Sequence, residues 1–404
     1  MRPLFLIALC LSAGCATDPQ FPSIPLAPYT TAHARAPSAA PEPPPAPALQ
    51  SPPLAGHPTG GSGPLTLPGS IALRGYAQMS YAQALTGRKA QTPQPYDEGT
   101  FRPDRISLSL EREFGSGEGF DLGGRLEVLY GTEAMPPRGF LPDQEGDAQF
   151  DIPQAYLTVR LPGTHGASIS AGRFLWPVFR ETAFPSVTFA TSPQTMTGGY
   201  LAVPVLRDSD GHGVLTLKAG PMLGTDLIKD NNGAFSLYGG VDWEPAHGSK
   251  IEANILVGPE HEGDTEDLRA LLDITATWDA SERLRLAGAL SLVMEEEHGH
   301  TAFAGSVLAH AAYGVGRTGR EREWQLVGQV EFFRDPHGIH LAVPGDLLEV
   351  IAGVAWTPEW VYEGHQFVAP VTVRPEIRWS YYTGTDKVPH DHQITALLAV
   401  ILQF

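Results

Sequence analysis

The sequence predicts an all-β protein: a transmembrane, antiparallel, up-and-down β-barrel of about 16 strands (14–18), preceded by a disordered Pro/Ala-rich segment. Three observations carry this. Apolar and polar residues alternate with period two, segment after segment, from about Ser70 to Phe404. The links between those segments alternate between short and long. Charged residues are only 18% of the 404, below the roughly 25% usual in soluble proteins, yet no run of about 18 apolar residues offers a membrane helix.

The N-terminus comes first. "MRPLFLIALCLSAGC" sets one basic residue, Arg2, before an apolar run from Leu4 to Leu11. That is a signal-peptide core, too short to span a membrane. Residues 1–15 are therefore expected to direct export. "LSAGC" resembles a bacterial lipobox, which makes Cys15 the expected lipidation site, although Ser12 stands where the motif prefers Leu. Ordinary cleavage after Ala16 is the alternative. Residues 16–69, as in "APSAAPEPPPAPALQSPP", turn to Pro, Ala, Ser and Gly. Such a composition buries no core and is expected to form an extended tether. Cys10 and Cys15 are the two cysteines, so the remainder can hold neither a disulfide nor a Cys-based metal site.

Residues 70–404 are the expected barrel. "SIALRGYAQMSY" sets Ile71, Leu73, Ala77, Met79 and Tyr81 against Arg74, Tyr76, Gln78 and Ser80. "DRISLSLERE" opposes Ile106, Leu108 and Leu110 to Arg105, Ser107, Ser109 and Glu111. "FDLGGRLEVLY", "SKIEANILVG", "RLRLAGALSLVM", "EWQLVGQVEFF" and "QFVAPVTVRPEIRWSY" repeat the pattern, which is the signal of strands with one polar face. Helix-period segments are absent. Short links (115–118, 162–166, 245–248, 280–282) interleave with long ones (86–103, 132–148, 174–196, 223–233), as short periplasmic turns interleave with long outer loops. Links 314–322 and 357–365 are longer than that rule wants. Trp243, Trp278, Trp324, Trp356 and Trp379 sit near segment ends, where interfacial aromatic girdles belong. The closing "QITALLAVILQF" is then a lipid-facing strand pairing with the first, and its terminal Phe404 resembles the assembly signal of outer-membrane proteins.

Several stretches resemble the OmpL-like family of β-barrel porins: "DIPQAYLTV" (151–159), "SAGRF" (170–174), "DNN" (230–232), "GGVDWEP" (239–245), "LVGPE" (256–260) and "RPEIRWSYYTG" (374–384). The resemblance spans roughly the last 330 residues, and it rests on motif order more than on any single motif. It implies an outer-membrane channel of a Gram-negative bacterium, passing small hydrophilic solutes or ions, with no catalytic residue and no cofactor. The expected partners are outer-membrane lipid and lipopolysaccharide, the barrel-assembly machinery, the solutes and, as in many sixteen-stranded porins, two further copies in a homotrimer. A net charge of −18 argues against nucleic acid, which wants a basic face. A structural barrel tethered to the envelope, or a lipid-anchored periplasmic β-sandwich that binds a ligand, are the alternatives.

The polar face supplies the candidate pore-lining residues: Arg74, Arg105, Glu111, Arg125, Glu127, Arg160, Lys218, Glu252, Arg269, Asp273, Arg285, Glu331, Arg374, Glu376 and Arg378. Charges on such a face set selectivity when they meet across the lumen, or only brace the wall when they pair with neighbouring strands. Link 174–196, rich in aromatics and Pro, is the candidate for folding into the lumen. The pairs His298/His300, His337/His340 and His390/His392 are weak metal candidates. The acidic link 260–267 lacks the ligand spacing of a calcium loop. Ser306 and His310 would share one strand face, but four residues along a strand is about 13 Å, too far for a nucleophile–base pair.

Overall fold

The computed structural model describes residues 65–67, 70–86, 99–114, 119–132, 149–163, 166–176, 195–207, 213–227, 229–246, 248–297, 300–315, 324–339, 344–357, 371–383 and 391–403. Cys15, Phe404, nearly all of the 16–69 segment, most of link 174–196, and His298, His340 and His390 lie outside the described residues.

The strands follow in chain order. A short β1 (Leu65–Leu67) leads into β2 (Ile71–Thr86), β3 (Thr100–Arg112), β4 (Asp121–Gly131), β5 (Gln149–Arg160) and β6 (Ser168–Leu175). Then come β7 (Thr195–Arg207), β8 (Gly213–Thr225), β9 (Ser236–Ala246), β10 (Ser249–Pro259), β11 (Leu268–Asp279) and β12 (Leu284–Glu297). The last are β13 (His300–Val315), β14 (Trp324–Asp335), β15 (Gly345–Trp356), β16 (Val371–Thr383) and β17 (Asp391–Gln403). From β2 to β17 each strand pairs antiparallel with the next, and β17 pairs back onto β2 from Gln403↔Tyr76 to Ile394↔Thr86. The result is a closed ring of 16 strands. Closure leaves no edge to template aggregation. β1 pairs with Ile71–Leu73, covering the start of β2 that protrudes beyond the end of β17.

Some boundaries differ from the sequence reading. β3 begins at Thr100, so the link expected over 86–103 is shorter. The link expected over 223–233 runs from Asp226 to Phe235. β16 begins at Val371 rather than near Phe367.

Three breaks in the ladder fall where prolines remove a donor. Asp104 is the extra residue beside Pro103, Ile152 and Pro153 together face Val128, and Val205 is extra beside Pro204. A proline inside a sheet is tolerated at such bulges. The first has a consequence for the interior: the bulge turns both Asp104 and Arg105 inward, and both are buried. Gly131 accommodates it. A Cβ there would sit 2.4 Å from the Asp104 carbonyl oxygen, and its φ of +146° disfavours other residues.

The outward face is apolar all round the ring. Leu398, Val400 and Leu402 of β17 point out, as do Leu108, Leu126, Leu217, Val257, Leu292, Val307, Val330 and Ile377. Aromatics gather at both rims. At the rim shared by the barrel's two termini stand Phe120, Trp243, Trp278, Tyr313, Trp324 and Trp356, and the last two rings stack at 5.5 Å. At the opposite rim stand Tyr81, Phe101, Phe303, Phe332, the pair Tyr130–Phe150 (4.8 Å) and the stacked pair Trp379–Tyr381 (6.1 Å). Two aromatic belts around an apolar band are the signature of a barrel sized to a bilayer.

Candidate functional site

The inward face divides into two walls. On β2–β5 it is an ion-pair ladder. Arg74 meets Glu111 at 3.5 Å and Glu113 at 3.8 Å. Arg125 reaches Glu111 at 3.7 Å and Glu127 at 3.1 Å. Arg105 donates to Glu127 at 2.6 Å, and Gln154 donates to the same carboxylate at 2.7 Å. Period two makes this possible: residues two apart on β4, Arg125 and Glu127, share a face with Glu111 of β3. Behind Arg105, the bulged Asp104 accepts from Ser80 (2.8 Å), Arg102 (3.1 Å) and Gln78 (3.2 Å). At the terminal rim Arg160 pairs with Asp121 at 3.4 Å and lies over the Phe114 ring. There Glu113, partly buried and close to Glu111, has its carboxyl pushed above the usual range.

The ladder resumes across the closure. On β15 and β16 Arg378 meets Glu349 at 3.5 Å, Ser380 donates to Glu349 at 3.0 Å, and Arg374 meets Glu376 at 3.4 Å. Glu331 of β14 stands directly opposite Glu349, and His310 of β13 opposite Gln329. Elsewhere Lys218 pairs with Asp242 (2.5 Å), Glu252 with Lys250 (2.9 Å), Arg285 with Asp279 (3.6 Å), and Arg269 with Glu295. Each of these ion pairs joins residues on one strand or on adjacent strands, apart from Arg74–Glu113, whose carboxylate lies just past the end of β3. None of the pairs described runs across the lumen, so these contacts brace the wall, as cross-strand charge pairs do.

The second wall, from β6 to β12, carries an apolar patch beside its ion pairs. Phe174, Met196, Met222, Tyr238, Leu256, Leu271 and Val293 pack into one buried cluster, with Tyr156 and Tyr200 against it. Rings follow one another round the ring of strands: Tyr156–Phe174 at 5.0 Å, Phe174–Tyr200 at 5.0 Å, Tyr200–Tyr238 at 5.7 Å. The Tyr238 hydroxyl donates to Asn254 at 2.7 Å, as a buried phenol requires a partner. Trp176, just past the end of β6, lies on this cluster with no solvent exposure. Its ring is edge-on to Tyr238 at 6.2 Å. Its indole N–H donates to Asp273 of β11, which also accepts from Ser291 of β12.

Both ends of the link between β6 and β7 are held. Arg173 donates to Asp151 of β5 (3.2 Å) and to Thr195 of β7 (3.1 Å), bridging where β6 stops. The Thr195 N–H and hydroxyl in turn donate to Asp226 at 2.9 and 3.2 Å. Asp226 has φ +54°, which an Asp tolerates better than most residues. The neighbouring links are tied by Glu260, whose carboxylate accepts from the Thr225 N–H (2.8 Å), the Thr225 hydroxyl (2.9 Å) and Ser236 (2.5 Å). Asn232 donates to the carbonyls of Pro259 and His261. Two stretches quoted above, "DNN" and "LVGPE", therefore meet, and so do "DIPQAYLTV" and "SAGRF". Within the acidic link 260–267, Glu260 is buried. Its Asp264 accepts backbone N–H bonds from Glu266 and Asp267, which hold that carboxyl below the usual range.

Of the histidine pairs, the side chains of His337 and His392 are described. Both are exposed, and His337 lies edge-on to Phe303 at 5.2 Å. Among the described residues no three His, Cys, Asp or Glu side chains come together as metal ligands. Ser306 and His310 both face inward on β13, opposite Phe333 and Gln329 respectively. The interior also holds groups absent from the pore-lining candidates: Asp104, Asp151, Arg173, Trp176 and Glu349. For Asp104 the available signal was Pro103; for Glu349, the alternation of "DLLEVIAG" (346–353).

A family model described as "Putative beta-barrel porin-2, OmpL-like" matches residues 70–404. Among solved structures the chain is similar to the outer membrane channel DcaP of Acinetobacter baumannii, with a TM-score of 0.55 and 11% identity over 83% of this chain and 97% of that one. It is also similar to an anion-selective porin from Comamonas acidovorans (TM-score 0.51, 12% identity, 83% and 99% covered). A third likeness is to OmpF of Salmonella typhi in complex with daunomycin (TM-score 0.52, 13% identity, 83% and 97% covered). At these identities the likeness is one of fold. No curated protein sequence matches significantly.

Proposed function

This chain belongs to the OmpL-like family of β-barrel porins and is a channel of the Gram-negative outer membrane, and from that premise we propose that small hydrophilic solutes and ions cross it passively along the ion-paired wall of β15, β16 and β2–β5. The observation that carries this is the ladder itself. Arg74, Glu111, Arg125, Glu127 and Arg105 succeed one another within 4 Å on the inside of a closed ring, and rings of this size enclose a water-filled lumen. A polar solute trades its hydration for that wall at little cost. Because each cation pairs with a near carboxylate, the net field along the path is small and charge selectivity weak.

In the same reading no catalytic step occurs, the rim holding the barrel's termini faces the periplasm, and Phe404 serves assembly. Cys15 is acylated, and residues 16–69 form the tether. The protomers associate as a homotrimer, by analogy with OmpT of Vibrio cholerae, whose structure is described as a trimer form; sedimentation in detergent would measure the mass. The primary test is the current through protein in a planar bilayer under a salt gradient. Discrete steps with a reversal potential near zero are expected. A folded, inserted barrel that carries no current would overturn the open channel.

A further inference from the structure

Glu331 of β14 stands directly opposite Glu349 of β15. Both lie on the inward face, with 1% and 2% exposure. Like charges set directly across an antiparallel pair destabilise it. The ladder on β2–β5 avoids this, because Glu127 lies opposite Ser109 on one side and Gln154 on the other. Glu127 also accepts from Arg105, Arg125 and Gln154. Glu349 is served differently. Ser380 and Arg378 both approach its Oε1, at 3.0 and 3.5 Å, while its buried Oε2 receives no hydrogen bond. On β16 neither oxygen of the buried Glu376 receives one, although Arg374 lies 3.4 Å away. An acceptor kept from water without a donor is costly, so this row is short of N–H groups.

The surroundings narrow the kind of donor that fits. Two residues along each strand, towards the rim opposite the termini, Phe333, Leu347 and Tyr382 stand across from one another. They pack with Ala304 into a buried apolar cluster. On the other side Ile351 packs with Val327 and lies between Gln329 and Arg378. The carboxylate row is thus bordered by hydrocarbon and aromatic rings. Among the described residues no three His, Cys, Asp or Glu side chains gather as metal ligands, so the row offers a metal ion too few donors.

We infer that the Glu331–Glu349 row is a binding station for a small organic ammonium ion with an apolar body. This rests on the channel reading above and names the class of solute that the path retains. The ammonium N–H groups give Glu349 Oε2 the charge-assisted hydrogen bonds it lacks and place a positive charge between the two carboxylates. Arg378 and Ser380 keep Oε1. The body of the ion lies against Phe333, Leu347 and Tyr382, whose two rings also favour a cation beside them.

The test titrates the folded, full-length protein in detergent with benzylammonium, followed by isothermal calorimetry. Benzyl alcohol and benzyltrimethylammonium present the same body without the charge or without the N–H groups. Saturable binding of benzylammonium is expected, and much weaker binding of the other two. E349Q should weaken benzylammonium binding about tenfold, as befits one lost charge-assisted bond, and E331Q should do likewise. D264A, far from the row, should bind as wild type does. Heat-modifiable gel mobility shows beforehand that each variant is folded. No saturable binding to wild type, equal affinity in folded E349Q, or equal affinity for the trimethyl compound would overturn the station. Calorimetry needs no current, so the two readings fail separately. A protein that binds benzylammonium but carries no current would uphold the station and overturn the open channel; a conducting protein that binds none would overturn the station alone.

Discussion

The two inner walls of this barrel solve one problem in opposite ways. Each must keep its side chains ordered inside a ring with no conventional core. The β2–β5 and β15–β16 wall does so with charge: Glu127 has no solvent exposure, yet it holds Arg105, Arg125 and Gln154. The apolar patch on β6–β12 does so with packing around Trp176, Met222 and Leu256. The difference teaches what each wall can offer. Paired charges stay compatible with water and can line a path. Packed aromatics exclude water and can only narrow one.

Breaking the charged wall at its centre should have the largest effect. Glu127→Ala removes the carboxylate that Arg105, Arg125 and Gln154 share, and removing one partner of a buried pair costs about 3–5 kcal/mol. Urea unfolding followed by the heat-modifiable band would measure that loss, and salt should soften it. A loss below about 1 kcal/mol would mean that water already does the work assigned to the ladder.

Leu256→Ala is the matching cut in the apolar patch. It should cost about 2–4 kcal/mol through lost burial and a residual cavity, in the same unfolding assay. Unlike the first, this loss should be insensitive to salt, since no charge is involved. A loss that falls as salt rises would erase the distinction between the walls.

The smallest effect belongs to the outer links, which resemble neither wall. Asp264 has its pKa held below the ordinary aspartate value by backbone N–H bonds. Its contribution is therefore present above the unfolded-state value and is lost as pH falls through the lowered folded value. Asp264→Ala should remove a small acid-sensitive component of the unfolding midpoint and leave the neutral-pH conductance unchanged. Identical acid profiles for the two proteins would show that those bonds contribute nothing to stability.

How much was legible differs between the faces. The outward stripe Ile394, Ala396, Leu398, Val400 and Leu402 could be read directly, because lipid on one side enforces strict alternation. The ladder residues Arg74, Glu111, Arg125 and Glu127 followed from the same alternation. Asp104 did not: simple parity sends it outward, and only the bulge beside Pro103 turns it in. The apolar patch was hidden for a different reason. In "NILVG" and "ALLDI" both faces are apolar, so Leu256 and Leu271 gave no contrast to read. The link beginning at Phe174 was recognisable by its aromatics and prolines, but not the acceptor for its tryptophan.

By itself the sequence determined the class of structure: strands of bilayer length, an apolar outside, a polar inside, belts at two rims and an apolar stripe at its end. Those are properties of each strand with its solvent, so local order suffices to write them. Only the tertiary structure decided which charge meets which, where the ring closes, and that Trp176 reaches Asp273. Such contacts depend on register and on the curvature of the whole closed sheet, which are set by all sixteen strands together and by no segment alone.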